Sequence, residues 1–192
     1  FNHNSGIIQT INSGNIYLEG VNVYLGEISI AGDLSVTARN SDGSAYIGVY
    51  GPLSATASNI TLTANAESSG DSYAGIEVYA PISAANDGEI TLRATNTVNR
   101  DILTDYYEDY SSNYAYINVY DSDISSGSGK ITLEAINTVE HTVNGDSGID
   151  GYYDYSSNYA EVYIYNSGGG TISTTGDINL FATNTVTRNI SA

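Results

Sequence analysis

Short runs of alternating apolar and polar residues fill most of this chain, and the same runs return in the same order. An alternating piece ending in Tyr occurs as Val21–Tyr24 (VNVY), Ile47–Tyr50 (IGVY), Ile76–Tyr79 (IEVY), Ile117–Tyr120 (INVY) and Val162–Tyr165 (VYIY). A second piece occurs as LSVTA from Leu34, ITLTA from Ile60, ITLRA from Ile90, ITLEA from Ile131 and INLFA from Ile178. Between them stands an Ile/Leu-Ser step at Ile28, Leu53, Ile82, Ile124 and Ile172. The offsets from first to second piece are 13, 13, 14, 14 and 16 residues. No apolar stripe of helical period competes with this alternation. Three strand-length pieces at near-fixed offsets, repeated five times, predict the coils of a β-solenoid.

Ile16–Gly20 (IYLEG) supplies a sixth copy of the second piece, so about six coils are expected within one domain spanning 1–192. Residues 1–13 carry a small apolar group, Ile7, Ile8 and Ile11. They read as an incomplete first coil or as an arm that pairs with something else. Successive second pieces start 18, 26, 30, 41 and 47 residues apart, while the strand triplet stays nearly constant. One connection therefore grows, and its two longest versions both begin Asn-Thr-Val and end Tyr-Ser-Ser-Asn-Tyr-Ala. Insertions at one point of adjacent coils are expected side by side on one face, ordered by pairing with each other.

Alternation sets the facing. Val21 and Val23, Ile47 and Val49, Ile76 and Val78, Ile117 and Val119, and Val162 and Ile164 are expected inside, with Ile131, Leu133, Ala135 and their equivalents. Two residues after the closing Ala of the second piece stand Asn40, Asn96, Asn137 and Asn184, with Ala66 the exception. Stacked Asn at a coil corner would bond turn amides and each other, a structural ladder. Tyr24, Tyr50, Tyr79, Tyr120 and Tyr165 should form an outward column, and further Tyr crowd the long connections. Such a face serves self-packing, contact with another subunit, or stacking on sugar rings.

Composition narrows the function. Twenty-two acidic against 5 basic residues give a net charge of −17, which repels phosphate backbones and anionic membranes. Nucleic acid is not an expected partner, and no run approaches the roughly 18 apolar residues of a membrane span. There is no Cys, and the two histidines, His3 and His141, sit in polar or loop context. No nucleophile elbow, zinc-type His spacing or placeable carboxylate pair occurs, so no enzyme is expected. Acidic loop residues Asp121, Asp123, Asp146, Asp150 and Asp154 offer oxygen ligands to Ca²⁺ but match no EF-hand; solvated loop acids are the plainer reading, and no cofactor is expected.

The strings GGGTISTTGDINLFATNTV (Gly168–Val186) and GEISIAGDLSVTARN (Gly26–Asn40) resemble the repeats of filamentous-haemagglutinin-like surface exoproteins. That resemblance implies a right-handed parallel β-helix displayed outside the cell. It transfers no catalytic or binding residue, and the long Tyr-rich connections depart from it. The chain starts at Phe1 and reads as a processed product or a window of something longer. Open solenoid ends invite pairing. The expected function is a self-assembling subunit of an extracellular filament or surface layer, stacked head to tail, with Ile7–Ile11 completing a neighbour's coil. The alternative is a monomeric adhesin segment that binds host or glycan through its tyrosines.

Overall fold

The computed structural model describes residues 1–9, 14–56, 58–103, 106–144 and 151–191. The alternating runs all become strands, and they stack in parallel. In chain order they are β1 (Asn2–Gln9), β2 (Ile16–Gly20), β3 (Asn22–Ile30), β4 (Leu34–Asn40), β5 (Ala45–Val49) and β6 (Leu53–Ala55). Then come β7 (Ile60–Ser68), β8 (Ser72–Val78), β9 (Ile82–Ala84), β10 (Ile90–Leu103), β11 (Tyr106–Asp109) and β12 (Ser112–Tyr120). The last are β13 (Ile124–Ser126), β14 (Ile131–Asn144), β15 (Gly151–Asp154), β16 (Ser157–Tyr165), β17 (Ile172–Ser173) and β18 (Ile178–Ser191).

The result is a parallel β-solenoid with three faces. The first half of β3 with β5, β8, β12 and β16 forms one face, and the second half of β3 with β6, β9, β13 and β17 forms the next. The third is β2, β4, β7, β10, β14 and β18 in spatial sequence. In-register columns such as Leu34, Ile60, Ile90, Ile131 and Ile178 carry one side chain type up the axis. Each coil therefore buries its Ile, Val and Leu against identical neighbours. One continuous core runs from Val23 to Leu133. Each fully buried side chain contributes roughly 1.5–3 kcal/mol, so stability accumulates coil by coil.

Close approach fixes one corner. A Cβ on Gly129 would stand 2.2 Å from the Gly88 carbonyl oxygen, and one on Gly176 would stand 2.3 Å from that of Ser128. Only a residue without a side chain fits where these turns nest.

The growing connection is not a loop. In the last three coils the third-face strands run on for 14 residues, and the chain returns through β11 and β12 or through β15 and β16. β11 pairs with β15, giving a wing beside the main stack of coils. Val98, Ile102, Val139 and Val143 fill the wing's interior.

Three expectations need correction. The first tyrosine piece is displaced by two residues: Val23 lies opposite Ile47 and Leu25 opposite Val49. Val23 and Leu25 are the inward pair, and Val21 is exposed beyond the edge of the core. A slip of two preserves the facing, so alternation alone could not detect it. Residues 2–9 follow the reading of a partial first coil rather than that of an arm. β1 takes the free edge of its own β3, with Ile7 opposite Glu27 and Ile8 opposite Ile28, and Ile8 packs on the core. Ile11 lies outside the described residues. Finally, His141 is not in a loop but wholly buried within β14.

Candidate functional site

Three features of this fold are chemically distinctive: a polar spine, an outward rank of tyrosines and the open last coil.

The spine begins with asparagines. Asn96 Nδ2 donates to Asn137 Oδ1 at 2.9 Å, and Asn137 Nδ2 donates to Asn184 Oδ1 at 2.8 Å. The same amides reach backbone carbonyls of the returning strand: Asn96 to Ser72, Asn137 to Asn113 and Asn184 to Asn158. These three do not sit at corners. They lie mid-strand where the wing departs, because extension of β10, β14 and β18 carries the chain straight past the turn. Ala66 interrupts the column below Asn96, and Asn40 serves separately, closing a turn through Ser44 and the Asp42 amide. A second rung, Asn113 to Asn158 at 2.9 Å, escaped sequence reasoning although both stand in the repeated Tyr-Ser-Ser-Asn-Tyr-Ala string.

Beyond the asparagines the wing encloses charge. Arg100, His141 and Arg188 are register partners on β10, β14 and β18. Facing them are acids: Arg100 is 3.6 Å from Asp71 and 3.5 Å from Asp109, His141 is 2.9 Å from Asp109, and Arg188 pairs with Asp154. Burial pushes the His141 imidazole below its usual value, against the opposing pull of Asp109. One-letter proximity could not reveal this spine, since its partners come from different coils.

The tyrosines occupy the outer side of the first face. Tyr50 stacks on Tyr79 at 5.2 Å and Tyr79 on Tyr120 at 4.9 Å, with planes 9° and 10° from parallel. Tyr165 follows at 6.5 Å, tilted. Tyr24 stands opposite Gly48 rather than Tyr50, and its ring reaches across to Tyr50 at 6.3 Å. Further pairs are Tyr114 with Tyr159 and Tyr110 with Tyr155. Two glycines admit these rings: a Cβ on Gly75 would stand 2.4 Å from Tyr116, and one on Gly48 would stand 2.6 Å from Tyr50. Glu77 accepts from both Tyr46 and Tyr79 at 2.8 Å. Burial, then that carboxylate, raises the Tyr79 phenol well above its usual value.

Two of the calcium candidates, Asp121 and Asp123, are spent on backbone amides and hydroxyls. Asp121 accepts from the Ser167 and Gly168 amides and the Ser167 hydroxyl, and those bonds hold its carboxyl below the usual range. Asp123 accepts from the Thr171 amide and hydroxyl at 2.8 Å. Asp154 is paired with Arg188, and Asp146 and Asp150 lie outside the described residues. Among the described residues no three acidic, His or Cys side chains converge as metal ligands.

At the far end, core positions are uncovered. Ile178 is 44% and Leu180 46% exposed, whereas their register partners Ile131 and Leu133 are fully buried. Ile164 and Ile190 are likewise exposed above buried Val119 and Val143. Among the described residues no helix is long and apolar enough to cross a membrane. No protein-family model matches the sequence, and neither a curated protein nor a solved structure matches it.

Proposed function

We propose that this chain is a structural subunit of an extracellular filament or surface layer, assembled through its solenoid ends. The observation that carries the reading is the uncovered row Ile164, Ile178, Leu180 and Ile190, whose equivalents one coil below are core. Covering each of them would stabilise the coil by about 1 kcal/mol. The edge of β18 also offers unpaired backbone groups in register for another parallel strand. The partner is a second copy. Its β1 and β2 present Ile8, Ile16 and Leu18, all only partly buried at the opposite end. Repetition of unlike ends gives an open filament. The extracellular setting is supported by the haemagglutinin-like repeat strings, the absence of Cys and the acidic, Lys-poor composition.

Negative-stain electron microscopy of the purified chain over a concentration series tests this. Rods many times the length of one solenoid are expected, and Leu180→Lys should return them to single particles. Single particles from the unaltered chain at every concentration would overturn the reading.

A second reading, a monomeric adhesin, is favoured by the exposed tyrosine face, whose rings present flat apolar surface with hydroxyl rims suited to sugars. Binding to a glycan array by the monomer, lost when Tyr50 and Tyr79 become Ser, is its signature.

A further inference from the structure

Two tyrosine pairs, one beside the wing and one along the first face, share an arrangement that exposure alone does not require. Tyr110 and Tyr155 are 65% and 58% exposed, yet their rings stand 5.0 Å apart with planes 11° from parallel. Tyr110 Oη donates to the Glu108 carboxylate at 2.9 Å. On the first face, Tyr79 stacks on Tyr120 at 4.9 Å, with Tyr50 at 5.2 Å on its other side, and donates to Glu77 at 2.8 Å. In both cases the acid stands two residues before the tyrosine, Glu77 in β8 and Glu108 in β11, with the tyrosine just past the strand's end.

That combination suits one reaction. A neutral phenol gives up an electron readily only if its proton has a base to receive it, and a carboxylate at hydrogen-bond distance is such a base. The phenol is neutral at neutral pH, as any unperturbed tyrosine is, and the Glu108 carboxylate that raises it further stands where it can take the proton as the electron leaves. Two phenoxyl radicals held ring to ring need no diffusional encounter to combine.

We propose that Tyr110 with Tyr155, and Tyr79 with Tyr120, are oxidative cross-linking sites, joined as dityrosine between adjacent coils by a haem peroxidase using hydrogen peroxide. Each phenol O–H breaks, its electron passing to the oxidant and its proton to the carboxylate or to water. A carbon–carbon bond then forms between the ring positions ortho to the oxygens. The two ortho hydrogens leave those carbons as protons and restore both phenols. Overall the pair loses two hydrogens and one peroxide becomes two waters. In a chain without Cys, such bonds tie one coil to the next covalently and restrict the unfolded state as a disulfide does.

The test treats the dilute full-length chain with a haem peroxidase and hydrogen peroxide, followed by proteolysis and mass spectrometry. The expected product is monomeric on a denaturing gel, two hydrogens lighter per bond, with Tyr110 joined to Tyr155. Tyr155→Phe should abolish that species while the Tyr79–Tyr120 bond still forms, which also reports that the variant is folded. Glu108→Gln should slow formation of the Tyr110–Tyr155 bond several-fold. Tyr17 is the control: it is 72% exposed and stacks on no ring among the described residues. Cross-links chiefly between molecules, equal incorporation of Tyr17, or an unchanged rate in Glu108→Gln would each overturn the proposal.

Discussion

His141 Nδ1 lies 2.9 Å from the Asp109 carboxylate, and neither side chain has any exposed surface. The pair joins the outgoing strand β14 to the last residue of β11, so it closes the wing across two successive coils. Arg100 of β10 and Arg188 of β18 flank the imidazole in register, while Asp154 follows Asp109 in the next coil and Asp71 reaches Arg100 from the turn before β8. Protonation of His141 would place a third cation between two arginines.

Acid should therefore loosen the wing before it reaches the carboxylates. Burial lowers the His141 pKa, so the unfolded chain takes up a proton that the folded one resists. Stability is then full above the ordinary histidine value of about 6.5 and falls as pH drops below it. The slope has a limit of about 1.4 kcal/mol per pH unit for one proton. Urea unfolding between pH 7.5 and 5 (about the span over which histidine titrates) should show it, and His141→Asn should flatten it. A midpoint independent of pH in the unaltered chain would contradict this account.

Asn137 should matter far more than Asn40. Asn137→Ala takes the Asn137 acceptor from the buried Asn96 amide, which keeps only its Ser72 bond, and removes donors from the buried Asn113 carbonyl and from the exposed Asn184, for a cost of about 3 kcal/mol. Asn40→Ala loses a turn bond at the coil edge and should cost about 1 kcal/mol. Urea midpoints of the two variants give the comparison.

Glycine substitutions should separate side-chain from backbone crowding. Gly75→Ala drives a methyl into the Tyr116 ring and should cost about 1–3 kcal/mol, most of it absent when Tyr116 is already Ala. Gly129→Ala meets the Gly88 carbonyl instead, and no side-chain change should relieve it. A double-mutant cycle by chemical denaturation checks the first and thermal melts the second.

Asp121→Ala should unpin the last coil only. The amides of Ser167 and Gly168 lose their acceptor, so their hydrogen exchange should accelerate while amides of β7 and β10 stay protected. Because the folded Asp121 pKa is depressed, the unaltered chain should show the same local opening only as pH falls below about 4. Calcium chelation should leave this exchange pattern unchanged, since the carboxylate is engaged by backbone.

Much of this architecture was legible in one dimension. Alternation with period two and a repeating order of three pieces dictate parallel coils, because each strand's facing is a local property and each coil can bury its Ile, Val and Leu only on another. Ile131, Leu133 and Ala135 sit inside for that reason, and Tyr79 and Tyr120 outside. What tertiary structure decided are relations between coils. Register placed Tyr24 opposite Gly48, a two-residue slip invisible to alternation. Extension of β10, β14 and β18 past the expected corner turned Asn96, Asn137 and Asn184 into a mid-strand ladder. The same extension buried His141 against Asp109, whose polar flanking sequence resembles a solvated loop. Burial and pairing there depend on neighbours contributed by other coils, and no single stretch of chain carries that information.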